Sequence, residues 1–115
     1  MSRADSQEPK RGEVWLVSFD PSIGGEIRKT RPAVVISNDT ANRLLNRVQV
    51  IPITSNVNKL YPAEALVTIN GSERKAMADQ ITTASKERLH RRTGAVDNAD
   101  IPGIERAIKI QLGLG

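Results

Sequence analysis

Short apolar runs rich in β-branched residues, separated by turn signals, occupy most of this 115-residue chain. The pair Asn70-Gly71 is a strong signal for a tight hairpin turn. The pattern predicts strands at residues 13–19, 31–36, 48–54, 64–69, 74–82 and 93–96. Within the fifth of these, residues 76–80 fit a helix as well as a strand. Short strands joined by tight turns favour a small, strongly bent antiparallel sheet or barrel.

The first predicted strand is apolar on both of its sides. Alternation places Trp15, Val17 and Phe19 on one face and Val14 and Leu16 on the other. A strand of this kind is expected to be covered on both faces. Because aromatic residues make up only 3% of the chain, Trp15 is predicted to lie in the core or in an interface.

The clearest helix signal lies at the C-terminal end. Ile101, Ile104, Ile108 and Leu112 recur at the spacing of one helix face, and this stripe is expected to pack on the sheet. The flanking residues fit an N-cap, a first-turn proline and a terminating glycine, at Asp100, Pro102 and Gly113.

Two shorter helical segments are predicted within the β-rich part. Helix-start chemistry precedes a short helix at residues 41–46, and Ser85 is suited to cap a turn that runs to Leu89. The polar residues 1–10 lack periodicity and are predicted to be a flexible N-terminal segment. Residues 11–115 are enough for one domain with a single core, and the predicted fold class is β-rich α+β.

The residue composition argues against several kinds of site. The chain has no cysteine and one histidine, so a disulfide scaffold, a thiolate metal site, a cysteine nucleophile and a histidine-based metal centre are not expected. Neither a phosphate-binding loop motif nor a dinucleotide-binding fingerprint occurs in the sequence. No metal and no cofactor are therefore predicted.

Charge and hydropathy indicate the surroundings in which the chain works. Its 17 Lys and Arg exceed its 13 Asp and Glu, which gives a formal net charge of +4. This excess favours an anionic partner such as nucleic acid or an acidic peptide, although solubility alone also explains it. No apolar stretch approaches the ~20 residues of a membrane span, and no secretory signal is expected. A cytoplasmic protein without a membrane partner is expected.

Polar residues collect at the ends of predicted strands. Residues 20–30 form a long connection with several charges, and Arg31 lies where this connection meets a strand. Its planar guanidinium suits phosphate and stays charged at physiological pH. Thr54 ends a later strand and is followed by Ser55 and Asn56. The residues alone leave open an ordinary surface charge for Arg31 and a strand-end cap for Thr54.

Several motifs follow one another along the chain, and the most specific is Arg31-Pro32-Ala33-Val34-Val35 after a Phe-Asp-Pro segment. The others are Gly12-Glu13-Val14-Trp15, Gly25-Glu26, Thr54-Ser55-Asn56, Ala78-Asp79-Gln80 and the closing isoleucine-rich helix. Over residues 10–114 their order resembles that of the MazF/PemK (Kid) toxins of type II toxin–antitoxin systems. The resemblance implies a small SH3-like or CcdB-like antiparallel β-barrel with a C-terminal helix and one or two short helices.

The same resemblance implies a function. Such toxins are homodimers that cleave single-stranded RNA at a short motif without a metal, which inhibits translation. They are neutralised by an antitoxin with an acidic, disordered C-terminal tail. The ribose 2′-OH is expected to attack the adjacent phosphorus and give a 2′,3′-cyclic phosphate and a 5′-OH end, so DNA is expected to resist. The alternatives are a gyrase poison like CcdB, which performs no chemistry, and a catalytically silent relative that only binds an antitoxin.

Site residues also follow from the resemblance. The positions matching Arg31 and Thr54 hold the family's catalytic pair, and the position matching Glu26 is sometimes implicated. Arg31 is expected to neutralise charge on the phosphoryl oxygens rather than move a proton. Thr54 is expected to position a phosphate oxygen. Glu26 is expected either to act as a base or only to orient Arg31.

Further residues are predicted to contact the RNA, and these are Arg28, Lys29, Ser55, Asn56, Lys59, Asp79 and Gln80. The cations among them are expected to contact the phosphate backbone, with an affinity that falls as salt rises. The pair Asp79-Gln80 either contacts bases or completes a strand end. His90, next to two arginines, is interpreted as a surface residue rather than a base.

Overall fold

The structure, a computed structural model, describes residues 8–19 and 30–115. Within these ranges the chain forms seven strands and two α-helices, joined in part by short 3-10 turns. The strands are β1 Glu13–Ser18, β2 Thr30–Val35, β3 Arg47–Thr54, β4 Glu64–Ile69, β5 Ser72–Met77, β6 Thr82–Ser85 and β7 Leu89–Ala95. The helices are α1 Asp39–Leu44 and α2 Ile101–Leu112, and the 3-10 turns are Ala78–Gln80, Lys86–Arg88 and Asn98–Asp100.

The sheet is antiparallel, with the strand order β4-β5-β3-β2-β1-β7, and β6 pairs with β3. The long β3 organises it, because its first half pairs with β6 and its last two residues pair with β5. Strands β4 and β7 lie at the two ends of this order. A single bridge joins Ile69, the last residue of β4, to Val96, which directly follows β7. Beyond that bridge, β4 turns at Asn70 and the chain after Val96 enters a 3-10 turn.

These pairings confirm the predicted β-rich α+β fold with a C-terminal helix. The described strands nevertheless form an open, bent sheet, whereas closure into a barrel was expected. The barrel is not closed because β4 and the end of β7 are joined by one bridge and not by a ladder of paired residues. Neither helix of the described part has the length and apolar character needed to span a lipid bilayer.

Both faces of the sheet are covered, as the first strand predicted. One core cluster contains Val14 together with Ile104 and Ala107 of α2. The other contains Trp15 and Val17, with Phe19 packed against it. Trp15 is only 1% exposed and therefore belongs to the core.

Helix α2 packs mainly through the stripe that its periodicity predicted. Ile104 is buried, and Ile101 and Ile108 are partly buried against the same cluster. Gly113 ends the helix with a φ of +69°, a left-handed conformation that glycine adopts without a steric penalty. Leu112 is 52% exposed, so its inclusion in the buried stripe was wrong. It lies in the last turn, beyond the part of the helix that packs on the sheet.

Asp100 precedes α2 but does not cap it with its side chain. The preceding 3-10 turn gives Asp100 helical backbone angles, whereas a side-chain cap requires an extended residue. Its Oδ2 instead accepts a 2.7 Å hydrogen bond from the backbone N–H of Thr68. Asp100, predicted as a cap, therefore connects the start of α2 to β4.

The shorter elements largely follow the sequence signals. Asn38 caps α1 by accepting a 2.8 Å hydrogen bond from the backbone N–H of Ala41, so this helix begins slightly earlier than predicted. Asn70 and Gly71 have φ values of +52° and +79° and form the predicted hairpin turn. Ser85 caps the predicted turn through the backbone N–H of Glu87.

Two predicted strands have different bounds in the structure. The segment 74–82 divides into β5, a 3-10 turn and β6, which explains why residues 76–80 gave a mixed signal. The short strand predicted at 93–96 is the end of the longer β7. The charged residues at the start of β7 obscured it, since its outward positions are exposed.

Only part of the predicted flexible N-terminal segment can be compared with the structure. Residues 1–7 lie outside the described residues. Pro9 is buried, and Glu8 forms an ion pair with Lys86. Residues 8–10 are thus attached to the fold.

Candidate functional site

Arg31 and Thr54 meet because of the register between their strands. Ala33 of β2 pairs with Pro52 of β3, and continuing this antiparallel register by two residues sets Arg31 opposite Thr54. The ladder between these strands ends at Ala33 and Pro52, and Arg31 and Thr54 beyond it line the same cleft. Arg31 lies on the face of Trp15 and Val17, since Val17 pairs with Arg31 on the other side of β2. The site thus extends the second core cluster to the end of the sheet.

Two clefts adjoin at this end of the sheet. The larger has a volume of about 430 Å³ and is lined by Arg31, Pro32, Ile53, Thr54, Ser55, Arg74, Met77 and Gln80. The second, of about 360 Å³, is lined by Phe19, Arg31, Pro52, Gln80 and Thr82. Arg31 and Gln80 line both and therefore stand between them. The only charged residues among these described lining groups are arginines, which favours an anionic ligand.

Arg31 is available for a ligand. Its side chain is exposed, and it makes no ion pair with residues 8–19 or 30–115. The backbone is fixed by pairing of β2 with β1, in which Arg31 faces Val17. A guanidinium on a rigid strand can present its fork of N–H donors to a phosphate at little cost in ordering.

Thr54 acts as a strand-end cap and keeps a donor for the cleft. Its Oγ1 accepts a 3.2 Å hydrogen bond from the backbone N–H of Asn56. Asn56 in turn accepts one of 3.2 Å at its side-chain oxygen from the backbone N–H of Asn58. A hydroxyl that accepts one bond still has its own proton to donate. Both roles considered for Thr54 are therefore compatible.

A buried ion pair lies beside Thr54 on the adjoining strand. Lys75, which pairs with Thr54 in the sheet, places its Nζ 3.0 Å from Oε1 of Glu64, and both side chains are 9% exposed. The same Nζ donates to the carbonyl of Lys59 at 2.8 Å, and Oε1 of Glu64 accepts from the backbone N–H of Tyr61 at 2.9 Å. These bonds fix the far end of the segment that begins at Ser55.

The predicted RNA-contacting residues fall into separate groups. Ser55 and Gln80 join Arg31 and Thr54 in the larger cleft. Asp79, although adjacent to Gln80, lines a different cleft of about 340 Å³.

The remaining predicted contacts lie apart from these clefts or outside the described residues. Asn56 caps the turn after β3, and the Nζ of Lys59 lies 5.4 Å from the centre of the Tyr61 ring. Neither residue lines the larger cleft. Glu26, Arg28 and Lys29 are outside the described residues, as is most of the 20–30 connection.

Sequence reasoning missed Arg74 and Met77, which line the larger cleft. Both lie on β5, whose contact with the site depends on the long-range pairing of Ile53 with Ala76. No local pattern reports such a pairing. His90 is exposed, as predicted, with its Nε2 2.5 Å from Oγ of Ser18. Among the described residues, no three His, Cys, Asp or Glu side chains are grouped to hold a metal.

Fold and cleft together define a class: a small basic α+β domain whose antiparallel sheet ends in an arginine-lined cleft. Residues 10–112 match the sequence profile of the PemK-like, MazF-like toxins of type II toxin–antitoxin systems. The chain therefore belongs to the PemK/MazF toxin family, as its motifs predicted.

Characterised relatives cover nearly the whole chain. Endoribonuclease MazF9 of Mycobacterium tuberculosis is 40% identical over 114 residues, which cover 91% of this chain and 97% of the relative. Endoribonuclease MazF of Staphylococcus saprophyticus is 34% identical over 112 residues, covering 91% and 92%. The similarity thus includes the folded part described above.

Solved structures confirm the fold. A mycobacterial endoribonuclease in complex with its cognate antitoxin superposes with a TM-score of 0.76 at 25% identity, covering 93% of this chain and 97% of that one. A chain of the MazE–MazF complex of Deinococcus radiodurans gives a TM-score of 0.80 at 22% identity, covering 96% and 100%.

Proposed function

We propose that this chain is an endoribonuclease toxin that cleaves single-stranded RNA at a short motif, without a metal, and thereby inhibits translation in the cytoplasm. The observation that carries the proposal is Arg31, which makes no ion pair with residues 8–19 or 30–115, beside the hydroxyl of Thr54 in one open cleft. Family membership and relatives named as endoribonucleases support it. A gyrase poison requires neither of these two side chains.

The proposed reaction is an internal displacement at phosphorus. The ribose 2′-oxygen bonds to the adjacent phosphorus and the bond from phosphorus to the 5′-oxygen breaks. The 2′-hydroxyl proton passes to a base, and the departing 5′-oxygen takes up a proton. The products are a 2′,3′-cyclic phosphate and a 5′-OH end.

The described side chains suit the charge changes of this reaction. Arg31 stabilises negative charge that accumulates on the phosphoryl oxygens, and Thr54 donates a hydrogen bond to one of them. Glu26 is proposed either as the base or as the group that orients Arg31. Because the described lining offers guanidinium, hydroxyl and amide groups, charge stabilisation is assigned to arginine rather than to a metal ion.

Substrate contacts are proposed both inside the larger cleft and outside it. Ser55 and Gln80 contact the nucleotides next to the scissile phosphate, because they line the cleft with Arg31. Outside it, the proposed contacts are Arg28, Lys29, Asn56, Lys59 and Asp79.

The proposed protein partners are a second copy of the chain and an antitoxin with an acidic C-terminal tail. Several large apolar side chains are about half exposed or more, which supports covering by a partner. These are Leu44, Leu60, Tyr61, Ile110, Leu112 and Leu114. The excess of positive charge suits an acidic tail.

Cleavage of RNA in the presence of EDTA tests the proposed function. The purified chain is expected to cut a long single-stranded RNA at discrete positions and to leave DNA of the same sequence intact, because DNA lacks the attacking hydroxyl. Gel analysis of both substrates measures this. Intact RNA would favour the alternatives, and inhibition of gyrase or binding of an antitoxin alone would then identify which one applies.

A further inference from the structure

The larger cleft contains a second guanidinium, that of Arg74, for which the catalytic scheme has no role. We propose that Arg74 binds a backbone phosphate of the RNA next to the scissile one, so that Arg31 and Arg74 hold successive phosphates on either side of Thr54. This assignment rests on the proposed RNA-cleaving function. It concerns substrate binding and leaves the chemical step to Arg31 and Thr54.

The sheet places the two arginines on opposite sides of Thr54. On one side, β2 pairs with β3 as far as Ala33 and Pro52, and the same register continued sets Arg31 opposite Thr54. On the other, β5 pairs with β3 so that Lys75 faces Thr54. Continuing that register sets Arg74 opposite Ser55, so Arg74 leaves the other face of the sheet and reaches the shared cleft at its end. Two interstrand spacings separate β2 from β5, about 10 Å. This separation is between backbones, and it leaves room for a phosphate at each arginine.

Among residues 8–19 and 30–115, Arg74 also has no carboxylate partner. It is half-buried, yet it makes no ion pair with any residue in the described ranges. Its Nη1 donates a 3.0 Å hydrogen bond to the carbonyl of Glu73, which orients the side chain without neutralising it. The neighbouring Lys75 is committed to Glu64. The remaining N–H groups of Arg74 are therefore free to bind an anion.

Two arginines that line one cleft give it a positive potential, which favours binding of an anion. RNA phosphates supply negative charge at regular spacing along a strand. The remaining lining of the cleft, which includes Ile53 and Met77, excludes water from one side of this contact. An arginine so placed contributes affinity that depends strongly on salt.

The test measures binding of the full chain to a single-stranded RNA in which every 2′-hydroxyl is methylated, so that cleavage cannot occur. The dissociation constant is determined at salt concentrations from about 50 to about 200 mM, because phosphate contacts lose affinity measurably over this range. Arg74→Ala is expected to weaken binding about tenfold and to reduce the slope of log K against log salt by about 0.7, the value for one phosphate contact on a single strand. Arg74→Lys is expected to retain most of the slope.

Arg47→Ala is the matched control, because it removes the same charge from an exposed position at the opposite end of β3. The two ends of this strand are about 23 Å apart. Arg47→Ala is expected to leave the slope unchanged. Arg74→Gln keeps the first three carbons of the side chain and a polar end without the charge. It replaces the alanine variant if that variant does not fold, as judged by thermal unfolding.

Kinetics on natural RNA separate the two arginines further. Arg74→Ala is expected to raise KM and to change kcat by less than about twofold. The reason is that the lost contact stabilises the bound substrate and the transition state equally. An unchanged salt slope, or an equal decrease in Arg47→Ala, overturns the assignment while cleavage by the wild type keeps the proposed function intact. Binding without cleavage of natural RNA overturns the proposed function and the position of Arg74 next to a scissile phosphate, while the salt slope still tests whether Arg74 binds a phosphate. A wild type that neither binds nor cleaves overturns both.

Discussion

Replacing Arg31 by alanine is expected to lower the rate of RNA cleavage by about 10²–10³-fold, the usual effect of removing one preorganised donor from a developing oxyanion. The reason lies in its surroundings: Arg31 stands between two clefts and has no ion-pair partner among the described residues. Its positive charge is therefore available to the phosphoryl oxygens. Single-turnover kinetics with saturating enzyme measures the chemical step directly.

Stability and a conservative variant control this experiment. Because Arg31 is exposed and has no ion-pair partner in the described part of the chain, Arg31→Ala is expected to unfold at nearly the temperature of the wild type. Arg31→Lys keeps the charge but loses the planar fork, so an intermediate rate is expected. If Arg31→Ala cleaves within about threefold of the wild type, well short of the effect of losing such a donor, Arg31 is not the electrostatic centre of the reaction.

Replacing Lys75 by alanine is expected to lower the free energy of unfolding by about 3–5 kcal/mol. Lys75 and Glu64 form a buried ion pair, and alanine leaves the carboxylate of Glu64 in a desolvated site without its cation. The hydrogen bond to the carbonyl of Lys59 is lost as well. Urea unfolding, with the slope against denaturant checked for constancy, measures the change.

Two variants identify the cause of that loss. Arg11→Ala breaks an ion pair with Glu105 whose side chains are 34% and 47% exposed, so about 1 kcal/mol or less is expected. The double change Glu64→Leu with Lys75→Met removes both charges and is expected to recover much of the stability. A Lys75→Ala effect no larger than that of Arg11→Ala would show that the buried pair does not stabilise the fold.

Much of the fold was predictable because its signals are local. The alternation in the first strand, the Asn70-Gly71 turn and the helix-terminating Gly113 each depend on neighbours in sequence. The division of residues 74–82 was not predictable, because pairing of β3 with both β5 and β6 is long-range. That the sheet stays open was not predictable either, because it depends on the long-range pairing between β4 and the end of β7.

The site was predictable to the extent that motifs carried it. Arg31 and Thr54 were identified through the family resemblance, and the structure places both in one cleft. Arg74 carries no local signal, since it reaches the cleft through strand pairing. Asp79 and Gln80 diverge because successive residues of a 3-10 turn point about 120° apart, which a strand-end interpretation did not anticipate.

Cleavage of an RNA with one 2′-deoxy substitution tests the central claim most directly. The substitution is placed on the nucleotide whose 3′ phosphate the wild type cuts, once that position has been mapped. The proposed mechanism predicts that cleavage stops at this position alone and that the unmodified RNA yields 2′,3′-cyclic phosphate and 5′-OH ends. Undiminished cleavage at the deoxy position, or products that begin with a 5′ phosphate, would contradict attack by the 2′-hydroxyl.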